Sequence, residues 1–268
     1  MFVNFTQGSV PRFDDELITG WATTGTAPTL DDLIESARSY FANILLPFGK
    51  AIQMSLDKFL EELGKVEVVK DEGRQLPRIL ATAHGVMWRS NVDKIFSMYR
   101  RWASHIVLPK VLIIYDTMYG ATERMARAIW QGAVEYVDGE QKSGRRAQVV
   151  IMNSKEAHYT RSADEMLDSA VLAIGSPSLN NGVLPSLGDH MTFLKGLRAE
   201  RRSGLAFGSY GWGPTGPNTL TKWLEECGIE SAGETITVQF AVDEATLRKC
   251  YEAGRNLARI AIAKGVPY

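Results

Sequence analysis

"LIIYDTMYGATERMARAIWQG", Leu112 to Gly132, changes character in its middle. It opens as a continuous apolar run, the mark of a strand buried on both faces. It then passes through small and hydroxyl residues, and from Ala121 its apolar positions recur at helical spacing. A strand running through a short loop into a helix is the opening unit of a parallel α/β sheet, and the loop between them is where such a sheet holds ligands.

The rest of the second half repeats the pattern. "KVLIIYD", "RAQVVIMN", "SAVLAIGSP", "SGLAFGSYG" and "ETITVQF" are compact apolar runs, separated by helical patterns such as "ATERMARAIWQGAVEYV" and "TGPNTLTKWLEECGI". Strands alternating with helices predict parallel strands joined by right-handed crossovers. Five of them in this span predict a flavodoxin-like, doubly wound, five-stranded parallel sheet over residues 106–268. The boundary falls near Ile106 to Pro109, which leaves residues 1–105 as a separate region.

That first region is read differently. Residues 1–29 are rich in Gly, Thr and Pro and have no sustained period, so they read as a long loop. Apolar residues then return at three and four, at Leu33, Ala37, Tyr40 and Phe41, and again at Ile52, Leu56, Phe59, Leu60 and Leu63. Two helices are predicted, the first capped by Thr29 and the two separated near Pro47. "PRILATAHGV" reads as a short strand leading into a loop, and "NVDKIFSMYRRWAS" as a further helix.

Composition narrows the class. Thirty basic and 31 acidic residues give a net charge of -1, so no global field favours nucleic acid or an anionic membrane. No apolar run approaches the roughly 20 residues of a spanning helix, and the first residues lack a signal-peptide pattern. Cys227 and Cys250 have no second Cys or His at ligand spacing, which points away from disulfide or zinc scaffolding and toward a reducing cytoplasm.

The loop "DTMYGATE" has the chemistry of a phosphate cradle. Thr117 and Thr122 offer hydroxyls, Gly120 lets the backbone bend close, and a helix that begins at Ala121 adds unpaired N–H groups and its dipole. Met118 and Tyr119 complete the segment. It has neither the glycine pattern of a dinucleotide fold nor the lysine of a P-loop, so FMN suits it better than NAD or ATP.

Two further strand ends fit a flat ring. After "AVLAIG" come Pro177 and Leu179, able to pack on a ring edge, with Ser178, Asn180 and Asn181 able to hydrogen-bond it. After "LAFG" come Ser209, Tyr210, Gly211 and Trp212, whose aromatics could stack while the glycine keeps the loop close. Each loop singly also reads as an ordinary turn or a core cover. Three of them at successive strand ends are what point to FMN.

At these residues the chain resembles the flavodiiron proteins, or A-type flavoproteins. The resemblance rests on "YDTMYGATERMA", "GSPSLNNGVLP", "FLKGLR" and "AFGSYGWG", and extends upstream through "FANILLPF" and "ATAHGVMWRS". It implies FMN at Thr117 to Thr122, Pro177 to Asn181 and Ser209 to Trp212. It also implies that residues 1–105 are a partial metallo-β-lactamase-like α+β region, starting where that domain would be more than half complete. In the family this domain carries a non-haem diiron centre that reduces dioxygen or nitric oxide.

The resemblance does not extend to a full set of iron ligands. No H-x-E-x-D occurs in the chain, and although His84 matches the family's last histidine ligand, the bridging aspartate would fall at about Phe5, which cannot coordinate a cation. The expectation is no metal site and no catalytic residue. His105, His158 and His190 sit in no ligand spacing, while Asp14, Asp15, Glu16, Asp31 and Asp32 read as solvated loop and helix-start residues. No nicotinamide pattern appears, so electrons are expected from a redox protein partner or a larger complex, and the family's arrangement implies a homodimer. Two other readings stay open: one half of a split oxygen or nitric oxide reductase, and a scaffold without cofactor.

Overall fold

The computed structural model describes residues 29–63, 76–77, 79–82, 86–141 and 147–267. The chain divides into two compact units, Met1–Ser104 and His105–Tyr268. Phe5, Asp14, Asp15, Glu16 and His84 lie outside the described residues.

In the first unit, helix α1 (Leu30–Tyr40) starts on a capping box: Thr29 Oγ1 accepts from the Asp32 amide at 3.2 Å, and the Asp32 carboxylate accepts from the Thr29 amide at 2.9 Å. Asp31 and Asp32 therefore sit where the helix dipole favours negative charge. The expected separation near Pro47 is a change of helix type. The chain passes through a π-turn (Phe41–Leu45) and a 3-10 turn (Leu46–Phe48) into α2 (Gly49–Leu63). Pro47 is accommodated because it stands in the first turn of a new segment, where no amide donor is needed.

Helix α3 (Val92–Ala103) buries Ile95, Phe96, Tyr99 and Trp102 at three- and four-residue spacing. Tyr99 meets Phe41 edge-on with ring centres 5.3 Å apart, and Trp102 lies 5.5 Å from the same ring. Part of "PRILATAHGV" (78 and 83–85) lies outside the described residues; among those described, Leu80 forms an antiparallel bridge with Trp88.

The second unit runs β1 (Leu108–Tyr115), α4 (Ala121–Gln141), β2 (Gln148–Asn153), α5 (Tyr159–Met166), β3 (Ser169–Gly175), α6 (Pro185–Gly196), β4 (Ser203–Tyr210), α7 (Thr215–Glu226), β5 (Glu230–Ser231), β6 (Ile236–Gln239) and α8 (Glu244–Lys264). Its strands are parallel and ordered β2-β1-β3-β4-β5, the flavodoxin-like doubly wound order. β5 pairs the start of β4 and β6 pairs its end, so the two short pieces share the fifth position of the sheet. β3 is buried along its whole length, which is why its sequence reads as an unbroken apolar run.

Helices α4 and α8 pack together over one face, with Met125, Ile129, Ala133, Leu257 and Ala261 in the shared core. They cross backbone to backbone. A Cβ at Gly254 would lie 1.9 Å from the Ile129 carbonyl oxygen, and one at Gly132 would lie 2.0 Å from that of Tyr251. No helix among the described residues is long and apolar enough to cross a membrane.

Charge is buried at the edge where the strands begin. Lys110 donates to Asp168 at 2.8 Å and lies 2.6 Å from Glu165. The guanidinium of Arg202, fully buried, donates to the carbonyls of Met166, Leu167 and Glu200. Burial pulls its pKa down to about 10, which leaves it charged at neutral pH.

Two stability measurements follow from this packing. Gly254→Ala forces a methyl against rigid backbone and is expected to cost about 3 kcal/mol in urea unfolding. Gly139→Ala, on the exposed side of α4 with open space around it, is expected to gain about 0.5 kcal/mol. His105 supplies the second. Its pKa is lowered to about 4, chiefly by burial and further by Arg202, against an ordinary 6.5. The unfolded chain therefore takes up this proton first as pH falls, and stability declines between pH 6.5 and 4. From pH 7 to 5 the loss should be about 1 kcal/mol, allowing for the ring's partial exposure, and His105→Leu should flatten it.

Candidate functional site

The carboxyl ends of β1, β3 and β4 open into loops 116–120, 176–184 and 211–214, all at one edge of the sheet. The loops are tied to one another. Thr122 Oγ1 lies 3.3 Å from Ser209 Oγ, and both hydroxyls are buried. The Ser178 amide donates to the Ser209 carbonyl at 2.9 Å. Ser178 Oγ donates to the Gly213 carbonyl at 2.9 Å and accepts from the Gly216 amide at 3.0 Å. All three predicted segments are thus brought together.

The first loop turns at Gly120, which adopts φ +81°, a left-handed value that favours glycine. Thr117 Oγ1 accepts from the Gly120 amide at 3.0 Å, so this hydroxyl shapes the loop while keeping its own proton to donate. Helix α4 starts at once, and the amides of its first turn have no partner within the helix. Tyr119 stands almost entirely in solvent at 92% exposure, and Met118 is exposed beside it.

Beneath this loop lies a residue that the sequence did not single out. Asp116 is fully buried where β1 ends. One oxygen accepts from the Thr117 amide at 2.6 Å and pairs with Lys155 Nζ at 3.1 Å, and the other accepts from the Ser186 hydroxyl. Lys155 Nζ also donates to the Thr117 carbonyl at 2.9 Å. Asp116 itself stands in the quoted stretch, a charge directly after an apolar run. Its partners lie 39 and 70 positions away, and no local pattern marks them.

In the second loop Leu179 and Gly182 exchange both backbone hydrogen bonds, at 3.0 and 2.8 Å, across Asn180 and Asn181. Both asparagines have positive φ, 47° and 60°, as a type I′ hairpin turn requires. Their side chains are exposed, Leu179 is half-buried, and Pro177 is buried. The Ser178 hydroxyl, expected to face a ring, is engaged with the third loop.

In that third loop Trp212 is wholly exposed and Tyr210 half-buried. A fourth wall, not foreseen, follows β6. The Phe240 amide donates to the Tyr210 carbonyl at 2.7 Å, Gln239 Nε2 donates to the Gly211 carbonyl at 2.9 Å, and the Phe240 ring is largely exposed. Exposed aromatics gathered on neighbouring loops offer apolar surface of the kind that ligand and partner sites use.

The histidines play other parts. His190 is buried on α6, with Nδ1 2.8 Å from Ser162 Oγ, and its pKa is lowered chiefly by burial. His158 caps α5 by accepting from the Thr160 amide. Among the described residues no group of three or more His, Cys, Asp or Glu is placed to hold a metal ion. The donor set at the first loop is amides and hydroxyls, with its buried carboxylate already neutralised by Lys155. Such a set fits a monophosphate, and the aromatic loops beside it fit a flat ring.

The family model described as flavodoxin matches residues 113–254. The chain is 33% identical over 248 residues to a nitric oxide reductase of Moorella thermoacetica, covering 92% of this chain and 54% of that protein. It is 30% identical over 229 residues to an anaerobic nitric oxide reductase flavorubredoxin of Escherichia coli, covering 85% and 44%. Among solved structures, rubredoxin oxygen:oxidoreductase from Desulfovibrio gigas superposes with a TM-score of 0.75 at 26% identity, covering 98% of this chain and 59% of that one. The flavodiiron protein from Giardia intestinalis gives 0.71 at 25%, covering 98% and 58%. The chain spans about half the length of the curated relatives it matches.

The Ser178 tether can be tested alone. Ser178→Ala leaves the Gly213 carbonyl and the Gly216 amide without their partner, which should cost about 1 kcal/mol of stability. It should also speed hydrogen exchange at the Gly216 amide, while exchange at the Leu172 amide in central β3 keeps its order of protection.

Proposed function

Because the chain belongs to the flavodoxin family, and within it to the flavodiiron proteins, we propose that it is an FMN-dependent electron-transfer protein, acting as a subunit of a redox complex without a diiron site of its own. The observation that carries this reading is the donor set of the first loop: amides, hydroxyls and a helix N-terminus, over a carboxylate that Lys155 already neutralises. When bound, FMN supplies the electron transfer. The chain's own residues bind and orient it.

Thr117, Thr122 and the amides of Met118, Tyr119, Ala121 and Thr122 would hold the phosphate, where the dipole of α4 favours negative charge. The ring would lie between the Pro177–Asn181 and Ser209–Trp212 segments. There the Trp212 and Tyr119 side chains, otherwise in water, can cover an aromatic face and exclude solvent. The exposed Asn180 and Asn181 side chains can hydrogen-bond its polar edge.

Iron is argued against by residue type. A phenylalanine stands at about the position of the bridging aspartate, and one histidine at 84 does not make a two-metal site. A second reading draws on the names of the relatives: with a further polypeptide supplying the remaining ligands, the assembly would reduce oxygen or nitric oxide. A homodimer, implied by the family resemblance, is compatible with either.

The discriminating experiment is purification without oxygen, followed by visible absorbance and metal analysis on one sample. The expected result is about one FMN per chain with negligible iron. Iron near two per chain, roughly the content of a filled dinuclear site, would overturn the carrier reading. Replacing Thr117 and Thr122 together by glutamate should abolish flavin retention, and stoichiometric flavin in that variant would sink the phosphate assignment.

A further inference from the structure

Asp116 poses a problem for any anionic ligand of the first loop. Its side chain is fully buried, and it is bonded to the Thr117 amide at the point where the loop begins. An uncompensated carboxylate there would repel a phosphate held by the following amides, the more strongly because water is excluded around it. Compensation comes from elsewhere in the chain. Lys155, in the loop after β2, places Nζ 3.1 Å from Asp116 Oδ1 and 2.9 Å from the Thr117 carbonyl oxygen.

The two contacts act on one short stretch of backbone. Asp116 accepts from the Thr117 amide and Lys155 donates to the Thr117 carbonyl, so the peptide groups on both sides of that residue are held. The orientation of the second one directs the chain into Met118 and the turn at Gly120. Lys155 is itself anchored, because the neighbouring Ser154 amide donates to the Tyr115 carbonyl at 2.9 Å and the Lys155 amide to Asn153 Oδ1 at 3.0 Å. Ser186, from the first turn of α6, holds the remaining oxygen of Asp116.

We propose that Lys155 is a positioning residue for phosphate recognition, cancelling the charge of Asp116 and fixing the Thr117 peptides so that the loop's amides are presented to the ligand. It acts through Asp116 and Thr117, not by touching the ligand. The proposal rests on the reading of 117–122 as the phosphate loop, and it adds a residue from the end of β2, a strand end outside the loops that line the site.

FMN and riboflavin differ by the phosphate alone, so the ratio of their dissociation constants isolates this role. It is measured by flavin fluorescence titration of the full chain freed of bound flavin. The wild type should favour FMN by about a hundredfold or more, as expected for several charge-assisted hydrogen bonds. K155M should lower that preference about tenfold, and K155R should restore most of it. An unchanged ratio in K155M, whatever happens to the two affinities separately, overturns the positioning role, since a merely structural lysine would weaken both ligands alike. A ratio near one in the wild type overturns the phosphate-loop reading itself.

Discussion

Each strand of the second unit pairs in parallel with its neighbours, and much else depends on that single constraint. Parallel neighbours cannot be joined by a hairpin, so the chain returns through helices between successive strands of the order β1 to β4. The carboxyl ends of strands and the N-termini of helices then collect at one edge, and the strand starts and helix C-termini at the other. The first edge is rich in unpaired amides and the second in unpaired carbonyls. The side chains answer to this. Threonines and serines gather where amides are in excess, and Arg202 lies buried where it can donate to the carbonyls that end α5.

Polar groups tie the ligand edge together. Thr122 reaches Ser209, Ser178 reaches Ser209, Gly213 and Gly216, and Asp116 gathers Thr117, Lys155 and Ser186. Loops held this way before a ligand arrives lose little conformational freedom when it binds. The exposed aromatics follow from the same arrangement. Tyr119 and Trp212 cannot turn into a sheet whose strands are already filled with buried side chains, so a flat ligand over the edge is what would take them out of water.

The first unit shows a different balance between local and long-range forces. Thr29 and Asp32 form a cap that is readable from four consecutive residues. Pro47 marks the separation of α1 from α2, and the chain stays wound around it through a π-turn and a 3-10 turn. Burial of Phe41 against Tyr99 and Trp102, more than fifty residues away, is a long-range contact that favours keeping this segment wound. Local propensity sets where such a helix is weak, and tertiary packing sets whether the weakness becomes a break.

Hydrophobic period, a local property, was enough to identify the parallel α/β class and the flavodoxin-like doubly wound sheet, and strand-end chemistry singled out the segments at 117–122, 177–181 and 209–212, which the structure brings to one edge. Side-chain spacing is fixed by backbone geometry, so a strand or a helix start carries its own signature. The role of Ser178 as a tether, the split of the last strand position into β5 and β6, and the exposed Phe240 beside the third loop were not legible. Nor was the pairing of Asp116 with Lys155 and Ser186. Each depends on residues far apart in the chain meeting at one point, and a buried charge finds its partner only when the whole sheet has closed around it.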